Sequence, residues 1–123
     1  MQFEEKFIAF IDVLGFKDMV EAAENGTGRT LSELMESLSK LGTVEDENRL
    51  ISYGSAICPQ STFNQQDLNF KITQISDCVI VTSEISSAGV INLINHCWIA
   101  AMGLLRDGIV CRGYITKGNI SSE

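Results

Sequence analysis

A single histidine and a single proline occur in 123 residues, and the four cysteines form no Cys-x-x-Cys pair. Cys58, Cys78, Cys97 and Cys111 are scattered, so the closely spaced thiols and imidazoles of a zinc site are missing. Three of them lie in apolar runs, where free thiols pack as small hydrophobes; this predicts reduced thiols and a cytoplasmic protein. Basic residues are also scarce, nine against sixteen acidic, for a net charge of −7. A duplex nucleic acid would want a basic stripe and is not expected as a partner. A nucleotide whose charge is offset by a divalent cation is compatible with the same balance. No apolar run approaches the ~20 residues of a membrane span, since the longest, Gly89 to Leu105, contains Asn92, Asn95 and His96. Glu4 and Glu5 precede the first apolar run, unlike the basic start of a signal peptide. A soluble chain with no membrane association is expected.

What is present suits one globular domain over residues 1–123: 45% of residues are apolar and 20% charged. Residues 6–12 read as a buried strand ending before Gly15. A helix is predicted from Phe16, with Met19, Val20 and Ala23 on one face, interrupted at Asn25-Gly26-Thr27-Gly28. Thr30-Leu31-Ser32-Glu33 has capping-box spacing, and Leu31, Leu34, Met35, Leu38 and Leu41 then recur at helical spacing. Gly42 to Asn69 is polar, holds Pro59, and reads as a long excursion with a short strand or helix near Leu50 to Tyr53. Phe70 to Ile75 and Cys78 to Thr82 imply a hairpin turning at Ser76-Asp77. Ser86 or Ser87 can cap a helix whose apolar stripe comprises Val90, Ile91, Ile94, Cys97, Trp98, Ala101, Leu104 and Leu105. Trp98 is assigned to that core stripe or to a dimer face, and His96 to the exposed polar side. Gly108 ends the helix, and Ile109 to Thr116 reads as the last strand, before Gly118.

The order is β-α-β-β-α-β with the first helix broken. It predicts an α+β fold of ferredoxin-like type, an antiparallel sheet with helices on one face. That topology sets the first strand beside the central hairpin and brings Asp12 and Asp77 to one end of the sheet. A carboxylate beside a buried sheet is costly unless its charge is compensated. Two such groups make a site for divalent cations carrying a triphosphate. The Val13-Leu14-Gly15-Phe16-Lys17 turn adds backbone amides at a helix start, suited to phosphate oxygens, and a glycine that admits close approach.

Phe10-Ile11-Asp12-Val13-Leu14-Gly15-Phe16 resembles the Phe-x-Asp-Ile-x-Gly-Phe opening of class III nucleotidyl cyclases. Ser76-Asp77 falls where that family has Gly-Asp, and Arg112 to Gly118 is similar to its Arg-x-Gly-Ile-x-x-Gly strand with one residue fewer. The wording is closest to the divergent bacterial branch that includes pyrimidine cyclases of anti-phage signalling. The resemblance implies a homodimeric lyase that closes a nucleoside triphosphate to a 3′,5′-cyclic nucleotide and pyrophosphate. It implies two Mg2+ or Mn2+ ions held by Asp12, Asp77 and the Val13 backbone, with Leu14, Gly15, Phe16 and Lys17 at the phosphates.

Two departures stand out. Purine-using members carry a lysine where this chain has Thr73, which leaves a pyrimidine substrate open and makes Thr73, with Arg112, a substrate or structural residue. The family also continues with a helix bearing an asparagine and an arginine, whereas this sequence ends at Glu123. It is expected to be the N-terminal portion of a longer cyclase domain, or a minimal one. Plainer roles stay open: Asp12 as a helix cap, Asp77 as a turn residue, Lys17 as a solvated helix residue, and Arg112 in a surface ion pair. A non-catalytic nucleotide- or partner-binding palm, and a cyclic-dinucleotide or oligonucleotide synthase palm, are the alternatives. The latter lacks its usual Gly-Gly-Asp/Glu hairpin here.

Overall fold

The run from Phe7 to Ile11 forms the middle of strand β1 (Phe3–Val13), where side chains alternate between the two sheet faces. Ala9, Ile11 and Val13 are buried, while Ile8, Phe10 and Asp12 between them face the other way and are only partly covered. The computed structural model describes residues 3–53, 68 and 70–121. Helix α1 (Phe16–Asn25) and helix α2 (Leu31–Leu38) follow, then a 3-10 turn at Ser39–Leu41 and helix α3 (Val44–Tyr53). Strands β2 (Lys71–Ile75) and β3 (Cys78–Ser83), helix α4 (Ser87–Arg106) and strand β4 (Cys111–Ser121) complete the order. The strands form one antiparallel sheet in the order β2-β3-β1-β4. The fold is α+β.

The core lies on one face of this sheet. Ala9, Ile11, Val13, Val79 and Val81 pack there with Leu34, Leu38 and Leu41, and with Leu93, Ala100 and Leu104 of α4. Local signals placed the helices well. Thr30 Oγ1 accepts from the Glu33 amide at 3.1 Å, and Ser86 Oγ accepts from Gly89 at 2.9 Å. The Glu33 carboxylate accepts from the Thr30 hydroxyl in place of a backbone amide. Of the predicted α2 stripe, Leu34, Leu38 and Leu41 are buried but Leu31 and Met35 are exposed. The start of the predicted excursion is helical instead, as α3; residues 54–67 and 69, with Cys58 and Pro59, lie outside the described residues. β4 does not stop before Gly118 but runs to Ser121, because every residue from Cys111 pairs with β1. Cys78, Cys97 and Cys111 are free, half-buried thiols, and burial pushes Cys97 up to about 11.

Helix α4 corrects three expectations. It is 20 residues long and, by length and composition, apolar enough to cross a membrane, and its Leu93, Ala100 and Leu104 pack in the core on the sheet. It also turns its expected polar side inward: Asn92, Asn95 and His96 are buried, whereas Ile94, Trp98, Met102 and Leu105 are exposed. Trp98, at 61% exposure, is not in the core. Both amide atoms of Asn92 lack a hydrogen-bond partner among the described residues, a state that costs on the order of 1–3 kcal/mol. His96 is better served. One ring nitrogen, Nε2, lies 2.7 Å from the Leu41 carbonyl, and its ring meets Phe70 edge-on.

Burial pulls the His96 pKa below its ordinary 6.5, a shift reinforced by Arg49 and opposed by the Leu41 carbonyl and Asp46. The folded protein therefore holds a neutral imidazole that unfolding would let protonate. Stability from this group is fully present above about pH 6.5 and is lost as pH falls from there toward the lower folded value. Urea unfolding at pH 7.5, 6.5 and 5.5 is expected to show the midpoint falling over the lower interval, and His96→Gln to flatten that fall. An equal fall in His96→Gln would show that other groups cause it.

At the far end of α4, Asp107 accepts from Ser37 at 2.8 Å and from Lys40 at 2.6 Å, while Arg29 donates to its carbonyl. These hydrogen bonds hold the Asp107 carboxyl below its ordinary value, Lys40 contributing most. They place two cations at a helix C-terminus, where the dipole favours them, and fasten α2 to α4.

Candidate functional site

Asp12 stands one residue before the end of β1, on the face away from the core, opposite Cys78 of β3 and Arg112 of β4. Its Oδ1 accepts from Arg112 Nε at 3.2 Å; the Asp12 side chain is 24% exposed and that of Arg112 72%. This pair joins residues 100 positions apart. It exists because β1 and β4 align over eleven residue pairs, from Phe3 with Ser121 to Val13 with Cys111.

Asp77 arrives by way of the hairpin. Ile75 and Cys78 close a two-residue turn in which Ser76 has φ 55, a left-handed conformation that glycine adopts more easily. The Asp77 carbonyl accepts from the Val13 amide at 3.1 Å, so the turn is tied to the residue directly after Asp12. Both carboxylates act on the Cys78 thiol. The Cys78 pKa is raised by burial first, then by Asp77 and Asp12. Asp12 also adds to the rise at Cys111, where burial again leads.

Beyond Val13 the chain turns into α1. The Leu14 amide donates to the Val110 carbonyl at 2.9 Å, which braces the turn; with the Val13 amide bonded to Asp77, two of the backbone amides near the predicted phosphate position are already engaged. Gly15 is the helix N-cap at φ 74, with no side chain to cap the first turn and no atom within 4 Å of where a Cβ would stand. The first amides of a helix have no partner within it. At α1 these belong to Phe16, Lys17 and Asp18, beside an open position. Lys17 is exposed there.

The structure thus brings together Asp12, Asp77, Val13, Leu14, Gly15 and Arg112, with Phe16 and Lys17 following. Thr73 is elsewhere: it pairs with Ile80, which pairs with Phe10. By strand spacing and rise it is about 12 Å from the Asp12 position. Cys78, Phe10 and Tyr114 share the site's face without having been singled out for it; Phe10 and Asp12, and Arg112 and Tyr114, are two apart on their strands. That spacing was the available signal.

Among the described residues no three His, Cys, Asp or Glu side chains converge as a metal cage. Two carboxylates suit a hard cation that keeps water and takes its remaining ligands from phosphates, with Arg112 competing for Asp12. Comparison with protein-family models, with curated proteins and with solved structures finds no match for this chain.

Proposed function

We propose that this chain is a ferredoxin-like palm of the class III nucleotidyl cyclase type, binding a nucleoside triphosphate with Mg2+ or Mn2+ at Asp12 and Asp77. One observation supports the reading most: the Val13 amide to Asp77 carbonyl bond ties the hairpin turn to the strand end that carries Asp12, next to an uncapped helix start. The sheet order β2-β3-β1-β4 and the core on a single face support the palm. When bound, the cations would offset triphosphate charge, leaving the α1 amides and Lys17 to orient the phosphates. In the reaction the ribose 3′-oxygen bonds to the α-phosphorus, the bond from that phosphorus to the bridging oxygen breaks, and pyrophosphate leaves as the hydroxyl proton passes to solvent. The substrate is proposed to be a pyrimidine or purine nucleotide, and the catalyst a homodimer. The exposed stripe of Ile94, Trp98, Met102 and Leu105 supports self-association, and the free thiols suit the cytoplasm.

Titration calorimetry with a nucleoside triphosphate is expected to show heat only when Mn2+ is present. Incubation of the full-length protein with a nucleoside triphosphate and Mn2+ is expected to yield pyrophosphate and a monomeric cyclic nucleotide. A dinucleotide product would move the assignment to a synthase palm. A second reading, a non-catalytic palm, draws on the Asp12–Arg112 pair, which already neutralises one carboxylate; absence of any metal-dependent triphosphate binding would establish it.

A further inference from the structure

Beyond the two carboxylates, the outward sheet face carries an aromatic surface. The register sets Thr73, Ile80, Phe10 and Tyr114 in one row across the strands, and Ile75, Cys78, Asp12 and Arg112 in the next. The rings of Phe10 and Tyr114 are stacked, with centroids 5.9 Å apart and planes 28° from parallel. Tyr114 is 63% exposed although it is a large aromatic residue. Phe10, Asp12, Arg112, Gly113 and Tyr114 line an open recess of about 290 Å³.

We infer that Phe10 and Tyr114 form the base platform of the triphosphate site, holding the nucleobase by its face. The inference rests on the reading of Asp12 and Asp77 as the triphosphate end. Adjacent rows are two residues apart, about 6.8 Å along a strand, so a base lying on the aromatic row directs its sugar and phosphates toward Asp12, Asp77 and Arg112. The occupant is a mononucleotide rather than a strand of nucleic acid, because a net charge of −7 repels a long polyanion. A stacked base is gripped whatever its identity, since every base has a π-face. Its edge finds little to read it. Ile80 is the apolar neighbour in the row, and Thr73 lies three strands from Tyr114, about 14 Å away. In the row beyond, Thr82 is buried, and Lys71 lies on β2, three strands from Tyr114. The exposed Thr116 offers a hydroxyl that both donates and accepts and so does not separate one base edge from another. The site binds purine and pyrimidine triphosphates alike.

The test compares ATP, UTP and inorganic tripolyphosphate, each with Mn2+, by titration calorimetry on the intact chain and on Tyr114→Ala and Tyr114→Phe. In the wild-type chain both nucleotides are expected to bind about tenfold more tightly than tripolyphosphate, the scale of one base–aromatic stack, and within a few-fold of each other. Tyr114→Ala should erase that advantage and leave tripolyphosphate binding unchanged, whereas Tyr114→Phe should retain it. Equal affinities for nucleotides and tripolyphosphate in the wild type would refute the platform while leaving the metal–triphosphate site standing. A loss in Tyr114→Ala shared by tripolyphosphate would show a structural role and also overturn it. A tenfold or larger preference for one base would refute face-on recognition. No binding of any of the three would overturn the triphosphate reading itself.

Discussion

Gly113→Ala lowers the melting temperature by roughly 10 °C or more. Gly113 pairs with Ile11 at the site end of β4. A Cβ built there would stand 1.9 Å from the Phe10 carbonyl oxygen and 3.0 Å from the Ile11 Cα. Both are backbone atoms of the neighbouring strand, so no side-chain rotation can relieve the clash, and β4 must move away from β1. Forcing extra atoms into a packed site typically costs about 1–3 kcal/mol, and the upper end applies where backbone must yield. Against a total stability of about 5–15 kcal/mol, a loss of ~3 kcal/mol is large. It converts to the stated shift at a few degrees per kcal/mol for a chain of this size. Gly118→Ala is the control on the same strand, because its Cβ would meet only the end of the Ile8 side chain, at 3.3 Å. Thermal unfolding followed by circular dichroism separates the two; equal melting temperatures would mean that β4 passes β1 at ordinary distance beside the site. The clash also bears on function, since Arg112 and Tyr114 flank this glycine and share its strand.

Elements announced by local chemistry were legible in the sequence. The Thr30 and Ser86 caps, the Ser76-Asp77 turn and the apolar middle of β1 depend on residues within a few positions of one another. Helix α4 shows where that ends. It is apolar on more than one side: Ala88, Leu93, Ala100 and Leu104 form a second stripe beside Ile94, Trp98 and Leu105. Periodicity reports a stripe but not the layer it faces. The inward stripe was decided by long-range partners such as the Leu41 carbonyl, which receives His96 across 55 positions. In the site, Asp12 and Asp77 were legible because each ends or turns a recognisable strand. Arg112 could be named, but its pairing with Asp12 follows from the β1–β4 register, which no local pattern encodes. Thr73 was drawn toward the site by the resemblance, whose purine-using members carry a lysine at that position; the hairpin carries it back along β2, away from Asp12.

Asp12→Asn and Asp77→Asn are each expected to abolish metal-dependent turnover, by on the order of 10³-fold or more, while the fold stands. Losing one preorganised electrostatic contact already costs about 10²–10³ in rate, and each of these carboxylates is half of the proposed cation site. Stability should change little. The Asp12–Arg112 pair is largely exposed on the arginine side, a kind worth about 0–1 kcal/mol, and asparagine serves a turn as well as aspartate does. Loss of activity alone would not prove that the two carboxylates adjoin, but Cys78 supplies an independent measure. Asp77 and Asp12 both raise its pKa, after burial. Removing either negative charge makes the thiolate easier to form, so the pKa falls in each variant, though burial keeps it above the ordinary 9.0. The pH profile of Cys78 alkylation, followed by mass spectrometry, should therefore shift to lower pH in Asp12→Asn and in Asp77→Asn, and further when the two are combined. Thiol reactivity needs neither metal nor nucleotide, so the shift reads each carboxylate's approach to Cys78 alone. A profile that moves with Asp12→Asn but not with Asp77→Asn would place the hairpin carboxylate away from the strand end and dissolve the paired site. A profile that moves with both, joined to lost turnover, assigns that loss to two neighbouring charges.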